Sequence, residues 1–343
     1  MADQANDPLP RVRLARITDL AALAEISRRA HRASHDERTE MRSLGLPIGP
    51  PALNLYQLFR MPLSLVRSSD SIWVHQRGSA LDGLARVERD PGGNWTIVEL
   101  SAESDAARAR LSARVVREAG RHGVVRVHVA YREDAATLAL LGSAGFQAYA
   151  RETLFMLQPS AAGTAPPRSN ALRPAVQRDA LHIAQLMTRI TPAAVARVEL
   201  VDAIEWEHAA AGVWTPRASI SPLLRLVEGR AYVSDGDAGN IHAWVHLGVA
   251  RESGEQHPHV MRISVLPGID PVPLIAESLA KVAARAAHAG TGGGAILAVV
   301  RSYESGVGAA LRAHGFEEIA DLRLAVRDAR ARVTAPGMVP AIG

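Results

Sequence analysis

The chain has 343 residues, of which 48% are hydrophobic and 22% are charged, with a formal net charge of +4. This length is long for one domain and suits two domains of about 150 residues each. The sequence contains no cysteine, which excludes disulfide bonds, a thiol nucleophile and a cysteine-ligated metal site.

The basic residues are almost all arginine, and Lys281 is the only lysine. Arginine pairs well with phosphate, but these arginines are mixed with Asp and Glu and form no dense basic run, which argues against nucleic-acid binding. The first ten residues are polar, and no run approaches the ~18 apolar residues of a membrane span. We therefore expect a cytoplasmic protein that does not enter a membrane.

The first half of the chain is predicted as a domain over residues 10–157, after a flexible tail of residues 1–9. Apolar residues alternate in the strands and recur every three or four positions in the helices. The predicted elements are a short strand from Val12, a helix capped by Asp19, a hairpin over 72–87, a strand over 94–100, an amphipathic helix, a strand over 124–129, a helix over 134–141, a turn at Gly145-Phe146 and a last strand.

The second half repeats this order. A linker rich in Pro, Ser, Ala and Gly is predicted over residues 158–170, a second domain over 171–328 and a tail over 329–343. The predicted elements are a strand from Leu172, a helix capped by Asp179, a hairpin over 231–249, a strand over 259–265, a helix over 273–287, a strand over 295–300, a helix over 304–314 and a turn at Gly315-Phe316.

This repeated order, with the endings GFQAYARETLF and GFEEIADLRLAV, resembles the GCN5-related N-acetyltransferase (GNAT) superfamily. The resemblance implies an α/β (α+β) fold of two tandem domains, each with a mixed, mostly antiparallel central sheet flanked by helices. It also implies an acetyl-CoA-dependent N-acyltransferase that acts on an amine or amino group of a small molecule or a protein.

In that family the central strand separates from its neighbour and its backbone binds the pantetheine arm of acetyl-CoA. The N–H groups at the start of the following helix bind the pyrophosphate, because they are unsatisfied donors at the positive end of the helix dipole. The resemblance therefore places the cofactor against these residues: Val98, Leu100, Ala106, Ala107, Arg108, Ile263, Val265 and Gly268.

Both cofactor turns depart from the glycine-rich pattern of the family. The first has no glycine and brings Glu103 and Asp105 to the place of the pyrophosphate. The second keeps Gly268, but Pro271 and Pro273 have no N–H to donate. These departures count against acetyl-CoA binding at either turn.

Glu99 is the candidate general base, because the resemblance places it beside the thioester, where partial burial would raise its pKa. Its predicted counterpart in the second half is Ser264. An exposed Glu99 on an alternating strand is the simpler alternative. The family's general acid is a tyrosine, and its positions hold Leu141 and Leu311 in this chain.

No metal site is expected. His242 and His246 share one face of a predicted strand, but residues four apart on a strand are ~13 Å apart, too far for one zinc ion.

Two functions stay open. One is an N-acetyltransferase with degenerate cofactor motifs in both halves, and the other is a non-catalytic tandem scaffold that binds a ligand or a protein. A homo-oligomer or another protein partner is compatible with either.

Overall fold

A computed structural model describes residues 10–33, 41, 43–48, 71–89, 93–159, 171–199, 203–212, 224, 226–236, 239–251 and 257–329. The predicted tail 1–9 lies outside these residues. Of the predicted linker and C-terminal tail, only residues 158, 159 and 329 are described. The domain boundaries that these segments mark stay predictions.

The first copy of the repeat contributes six strands and three α-helices to the described part of the chain. These are β1 (Arg11–Leu14), α1 (Leu20–Ala33), β2 (Ser71–Arg77), β3 (Ala80–Arg89), β4 (Trp95–Ala102), α2 (Asp105–Arg121), β5 (Arg126–Arg132), α3 (Ala135–Ser143) and β6 (Gln147–Leu157). The predicted order of strands and helices is confirmed.

The second copy contributes six more strands, together with five helices in its described residues. These are β7 (Arg173–Pro174), α4 (Ala180–Ile190), α5 (Ala193–Val198), α6 (Ala203–Ala210), β8 (Leu226–Asp235), β9 (Ile241–Ala250), β10 (His259–Val265), α7 (Val272–His288), β11 (Ile296–Arg301), α8 (Ser305–Ala313) and β12 (Glu317–Asp328).

All twelve strands belong to one sheet with the order β1-β2-β3-β4-β5-β12-β6-β11-β10-β9-β8-β7. The last strand of each copy lies in the sheet of the other: β12 pairs with β5, β6 pairs with β11, and β6 and β12 pair with each other. Only β4–β5 and β10–β11 are parallel among the described pairs. The predicted mixed, mostly antiparallel α/β fold is confirmed, and the two sheets are joined into one.

Helices cover both faces of the sheet in each copy. In the first copy, α2 and α3 pack on one face through residues such as Leu111 and Leu140, and α1 packs on the opposite face through Leu23 and Ile26. In the second copy, α7 and α8 pack on the face that corresponds to that of α2 and α3, and α4 and α6 pack on the face that corresponds to that of α1. Below, the two sides are called the α2 face and the α1 face in the first copy.

The predicted Gly-Phe turns are confirmed in both copies. Gly145 and Gly315 have φ angles of 80° and 82°, in the left-handed region that glycine adopts without steric cost. Each glycine ends a helix and turns the chain into the last strand, and Phe146 and Phe316 are buried in the cores.

Asp19 and Asp179 lie just before α1 and α4, but neither caps the helix as predicted. Each ends a short 3₁₀ turn, so its carboxylate accepts the backbone N–H three residues earlier, at 2.6 and 2.8 Å. Each also accepts two hydrogen bonds from an arginine, Arg13 or Arg173. The arginine hydrogen bond is the main reason that the pKa of both carboxyl groups is lowered.

Asp179→Asn should lower the free energy of unfolding by about 1–3 kcal/mol, because it weakens hydrogen bonds to a charged arginine at a buried position. Urea denaturation at neutral pH measures this loss. The folded-state pKa of Asp179 is lowered, so the difference between wild type and variant should be complete above about pH 4 and disappear as the pH falls through the folded-state pKa.

Asp328→Asn is the matched control, because the Asp328 side chain is 79% exposed and lies 3.4 Å from Arg126. We expect this change to alter stability by less than about 0.5 kcal/mol. Equal losses in the two variants would contradict a specific role for Asp179.

Candidate functional site

In the first copy, the parallel strands β4 and β5 separate partway along their length. In the described residues, β4 and β5 form three parallel pairs, the last being Ile97 with Val129. β4 continues to Ala102 and β5 to Arg132, so an opening forms between them, the first-copy cleft. Val98 bulges from β4 where that strand pairs with β3, and a bulge bends a strand away from its neighbour.

The second copy has the same separation. β10 and β11 form three pairs in the described residues, the last being Met261 with Ala298, and then diverge as far as Val265 and Arg301. We call this opening the second-copy cleft. Its central strand pairs with β9 in unbroken register, without the bulge of the first copy. Both clefts have the strand separation that the sequence resemblance implies.

Glu99 lies on the diverging part of β4 and is 8% exposed, so the alternative prediction of an exposed side chain is wrong. The carboxylate lies on the α1 face, where the Ser27 hydroxyl donates a hydrogen bond to it. Its Oε2 atom is buried without a hydrogen-bond partner in the described structure. Burial raises the pKa of Glu99 more than Arg86 and Ser27 lower it, so its carboxylate is a stronger base than that of an exposed glutamate.

Ser264 is not the counterpart of Glu99. The last paired residues are Ile97 in β4 and Met261 in β10. The next residue of β10 is Arg262, and the next residue of β4 after the bulged Val98 is Glu99. Glu99 therefore corresponds to Arg262. The prediction of Ser264 was wrong because the sequence does not show where the strand pairing ends or that Val98 forms a bulge. The second copy therefore carries a positive charge where the first carries a carboxyl group.

Buried charges fill the second-copy cleft. Arg262 lies 3.5 Å from Glu304, and Arg301 lies 2.9 Å from Glu152, with each of these side chains at most 3% exposed. Glu304 also accepts hydrogen bonds from the Ser264 hydroxyl at 2.8 Å and from the backbone N–H of Arg301 at 3.0 Å. These contacts tie β10, β11 and the start of α8 together across the opening.

The start of α2 is capped and its acidic residues are paired. Ser104 accepts a first-turn N–H at 3.2 Å. Glu103 pairs with Arg29 at 2.8 Å, and Asp105 pairs with Arg108 at 3.2 Å. The two carboxylates predicted to repel a pyrophosphate are thus partly neutralised by arginine.

Arg108 lies inside the protein, with 1% of its surface exposed. Its guanidinium group donates to the Thr137 hydroxyl at 3.0 Å and to the Ser43 carbonyl at 3.2 Å. It therefore joins α2 to the start of α3 and to the segment that precedes β2, and these bonds draw it inward from the helix surface.

The start of α7 offers few donors. Asp270 accepts the N–H of Val272 at 3.0 Å, while Pro271 and Pro273 have no N–H. Gly268, with a φ of 90°, has open space beside it. This turn and the filled cleft behind it do not fit acetyl-CoA.

The first-copy cleft fits acetyl-CoA on its β4 side. Beyond Ile97 and Val129, β4 and β5 have no further paired residues in the part of the chain that the structure describes, so the edge of β4 near Leu100 is available to a ligand chain. On the β5 side, the N–H of Arg132 donates to the Leu44 carbonyl at 2.8 Å.

The predicted site residues form two separate groups. Val98, Glu99 and Leu100 lie together on β4, with Ala106, Ala107 and Arg108 in the first turn of α2, and Ile263, Val265 and Gly268 belong to the second copy. Leu141 and Leu311 are 1% exposed in the two cores, so these positions supply no general acid.

Sequence reasoning missed the partners of these groups. Ser27 and Arg86 surround Glu99 from α1 and β3, and Glu152 reaches the second-copy cleft from β6. No sequence pattern identifies them, because each is far along the chain from the residue that it contacts.

Within the described ranges, no group of three or more His, Asp or Glu side chains is placed to hold a metal ion. None of the helices described has both the length and the apolar content that crossing a bilayer requires.

Comparison with known proteins supports the fold. No family model matches the sequence, and no curated protein matches it. A solved GCN5-related N-acetyltransferase from Sphaerobacter thermophilus is 13% identical, with a TM-score of 0.53 over 94% of this chain and 96% of that chain. A tandem GNAT protein from the clavulanic acid biosynthesis pathway is 15% identical, with a TM-score of 0.49 over 94% of this chain and 99% of that chain.

Identities this low show the fold alone, and the Sphaerobacter thermophilus structure carries that conclusion. The two copies of the repeat, the separated central strands and this similarity agree. The chain has the fold of the GCN5-related N-acetyltransferases.

Proposed function

We propose that the protein is an acyl-CoA-dependent N-acyltransferase in which the first copy carries out the reaction and the second copy has a structural role. The acceptor is an amine or amino group, on a small molecule or on a protein. The observation that carries this proposal is Glu99, a buried carboxyl group with a raised pKa on the diverging part of β4.

In this proposal Glu99 takes the proton of the acceptor amine. Its Oε2 atom is unpaired in the described structure, while the Ser27 hydroxyl holds the carboxylate from α1. A bound acyl-CoA would supply the activated acyl group as a thioester. Because burial raises the pKa of Glu99, its carboxylate is a stronger base than that of an exposed glutamate.

Leu141 stands at the position of the family's general acid and cannot donate a proton. In this proposal the departing thiolate therefore takes its proton from water. Much of the acceleration in acyl transfer comes from holding amine and thioester in reacting geometry. In this proposal the cleft between β4 and β5 fixes the thioester, and Glu99 fixes the amine beside it.

The filled second-copy cleft favours a second candidate function, a non-catalytic scaffold or binding protein. If both copies had this role, neither would bind a thioester cofactor. Calorimetric titration with acetyl-CoA separates the two candidates, since a ligand that binds the native state must also stabilise it. Absence of both heat and thermal stabilisation at saturating acetyl-CoA would favour the scaffold.

Glu99→Gln should reduce turnover by about 100-fold or more, because the amide cannot accept the amine proton while the shape of the side chain is kept. The measurement is release of free CoA from acetyl-CoA in the presence of a panel of primary amines. The protein has no cysteine, so a thiol-reactive dye detects only the released CoA.

Glu25→Gln is the control. Glu25 belongs to α1, the helix whose Ser27 contacts Glu99, but its side chain is 46% exposed and pairs with Arg28. Its turnover should stay within about twofold of wild type. Equal turnover of wild type and Glu99→Gln would remove Glu99 from the mechanism.

The pH dependence of kcat/KM provides a separate prediction. Glu99 must be ionised to act as a base, so the rate should fall as the pH decreases through its pKa, which burial raises above the usual carboxyl value of about 4.3. The residual activity of Glu99→Gln should lack this acidic limb. If wild type and Glu99→Gln showed the same acidic limb, the limb would report the pKa of another group.

A further inference from the structure

Part of the chain lies across the first-copy cleft. Leu44 is 4% exposed and packs in the core on the α2 face, together with Leu100 and Leu141. Met41 belongs to the core under α1, and Ile48 belongs to a cluster at the centre of the sheet. Met41 and Leu44 therefore belong to cores on opposite faces of the sheet.

Hydrogen bonds hold this segment against β5 and α2. The Leu44 carbonyl accepts the N–H of Arg132, on the diverging part of β5, at 2.8 Å. The adjacent Ser43 carbonyl accepts from Arg108 of α2, whose guanidinium group also donates to Thr137. We call Ser43, Leu44 and Gly45 the strap.

Gly45 allows the strap to lie this close to β5. Its φ is 69°, and a Cβ atom at this position would lie 2.9 Å from the Cβ of Arg132. Both the left-handed backbone and the short distance disfavour any larger residue. The close contact between the strap and β5 therefore requires glycine at position 45.

The second copy satisfies the equivalent N–H in a different way. Arg301 takes the place of Arg132, three residues beyond the last paired residue of its strand, and its N–H donates to the Glu304 side chain at 3.0 Å. Glu304 is fixed at the start of α8. The first copy instead uses the backbone carbonyl of Leu44, and residues 43–48 belong to no helix or strand.

From this arrangement we infer that the strap is an internal ligand of the first-copy cleft, and that acyl-CoA binds there only when the strap is displaced. This inference rests on the proposed function. The strap presents a carbonyl to the diverging β5 and an apolar side chain to the core between α2 and α3. The pantetheine arm is also an extended chain with amide groups and apolar carbons, so the two compete for the space between β4 and β5.

The competition sets the apparent affinity for the cofactor. If the strap is seated in about 90% of molecules, the apparent Kd is about ten times the intrinsic value. Weakening the strap should then tighten binding by up to about tenfold, without any change to the residues of β4.

Two variants weaken the strap in different ways. Leu44→Ala removes the side chain that fills the core, and Gly45→Ala forces a Cβ atom against Arg132 while all apolar core side chains are kept. Both should bind acetyl-CoA about tenfold more tightly than wild type in a calorimetric titration. Ile48→Ala is the control, because it removes a buried side chain of the same segment that packs in the central cluster, and its Kd should stay within about twofold.

Hydrogen exchange gives a readout that does not depend on affinity. In wild-type protein the Arg132 amide should exchange slowly, and faster in Leu44→Ala and Gly45→Ala. Saturating acetyl-CoA should speed exchange in the peptide that contains residues 43–48. Fast exchange at Arg132 in the wild type, or slower exchange of that peptide with acetyl-CoA, would overturn the inference.

The titrations separate failure of the strap from failure of the proposed function. Equal Kd values for wild type, Leu44→Ala and Gly45→Ala would refute the strap and leave the acyltransferase proposal standing. No binding to any of the proteins would refute both. Tighter binding by Gly45→Ala alone still supports the strap if Leu44→Ala proves unable to fold.

Discussion

The exchange of β6 and β12 is the constraint on which the rest of the structure depends. It joins the two copies into one sheet and places Glu152, a first-copy residue, beside Arg301 of the second copy with both side chains buried. Leu322 occupies the equivalent position of β12, seven residues after the Gly-Phe glycine, and pairs in register with Arg132. The buried ion pair thus distinguishes the two last strands, because a buried arginine left without its carboxylate is strongly destabilising.

The two clefts share a backbone plan and differ in what occupies them. Three parallel pairs followed by divergence occur in both. In the second copy, the Glu304 side chain crosses the opening to Arg262 and Ser264 and also accepts the backbone N–H of Arg301. In the first copy, Glu99 has an oxygen without a hydrogen-bond partner in the described structure, and the Leu44 carbonyl accepts the N–H of Arg132. This difference is the basis of the proposal that the first copy carries out the chemistry and the second copy has a structural role.

The sequence was sufficient for the order of elements, the Gly-Phe turns and the place of Glu99 on the central strand, because these follow from local periodicity and from glycine at left-handed positions. It was insufficient wherever long-range pairing decides the outcome. Strand alternation does not specify the neighbour of β6, the bulge at Val98 moved the counterpart of Glu99 to Arg262, and the inward course of Arg108 depends on Ser43 and Thr137.

The shared sheet also affects how such a protein can be taken apart. A cut between residues 159 and 171 would leave each half with its own last strand but without the strand that lies next to its β5 or β11. Each fragment would then expose an unpaired strand edge, which invites association with another chain. Fragments of this protein should therefore recombine with each other more readily than they persist alone, so the pair, rather than the single repeat, is the smallest unit that folds with every strand paired.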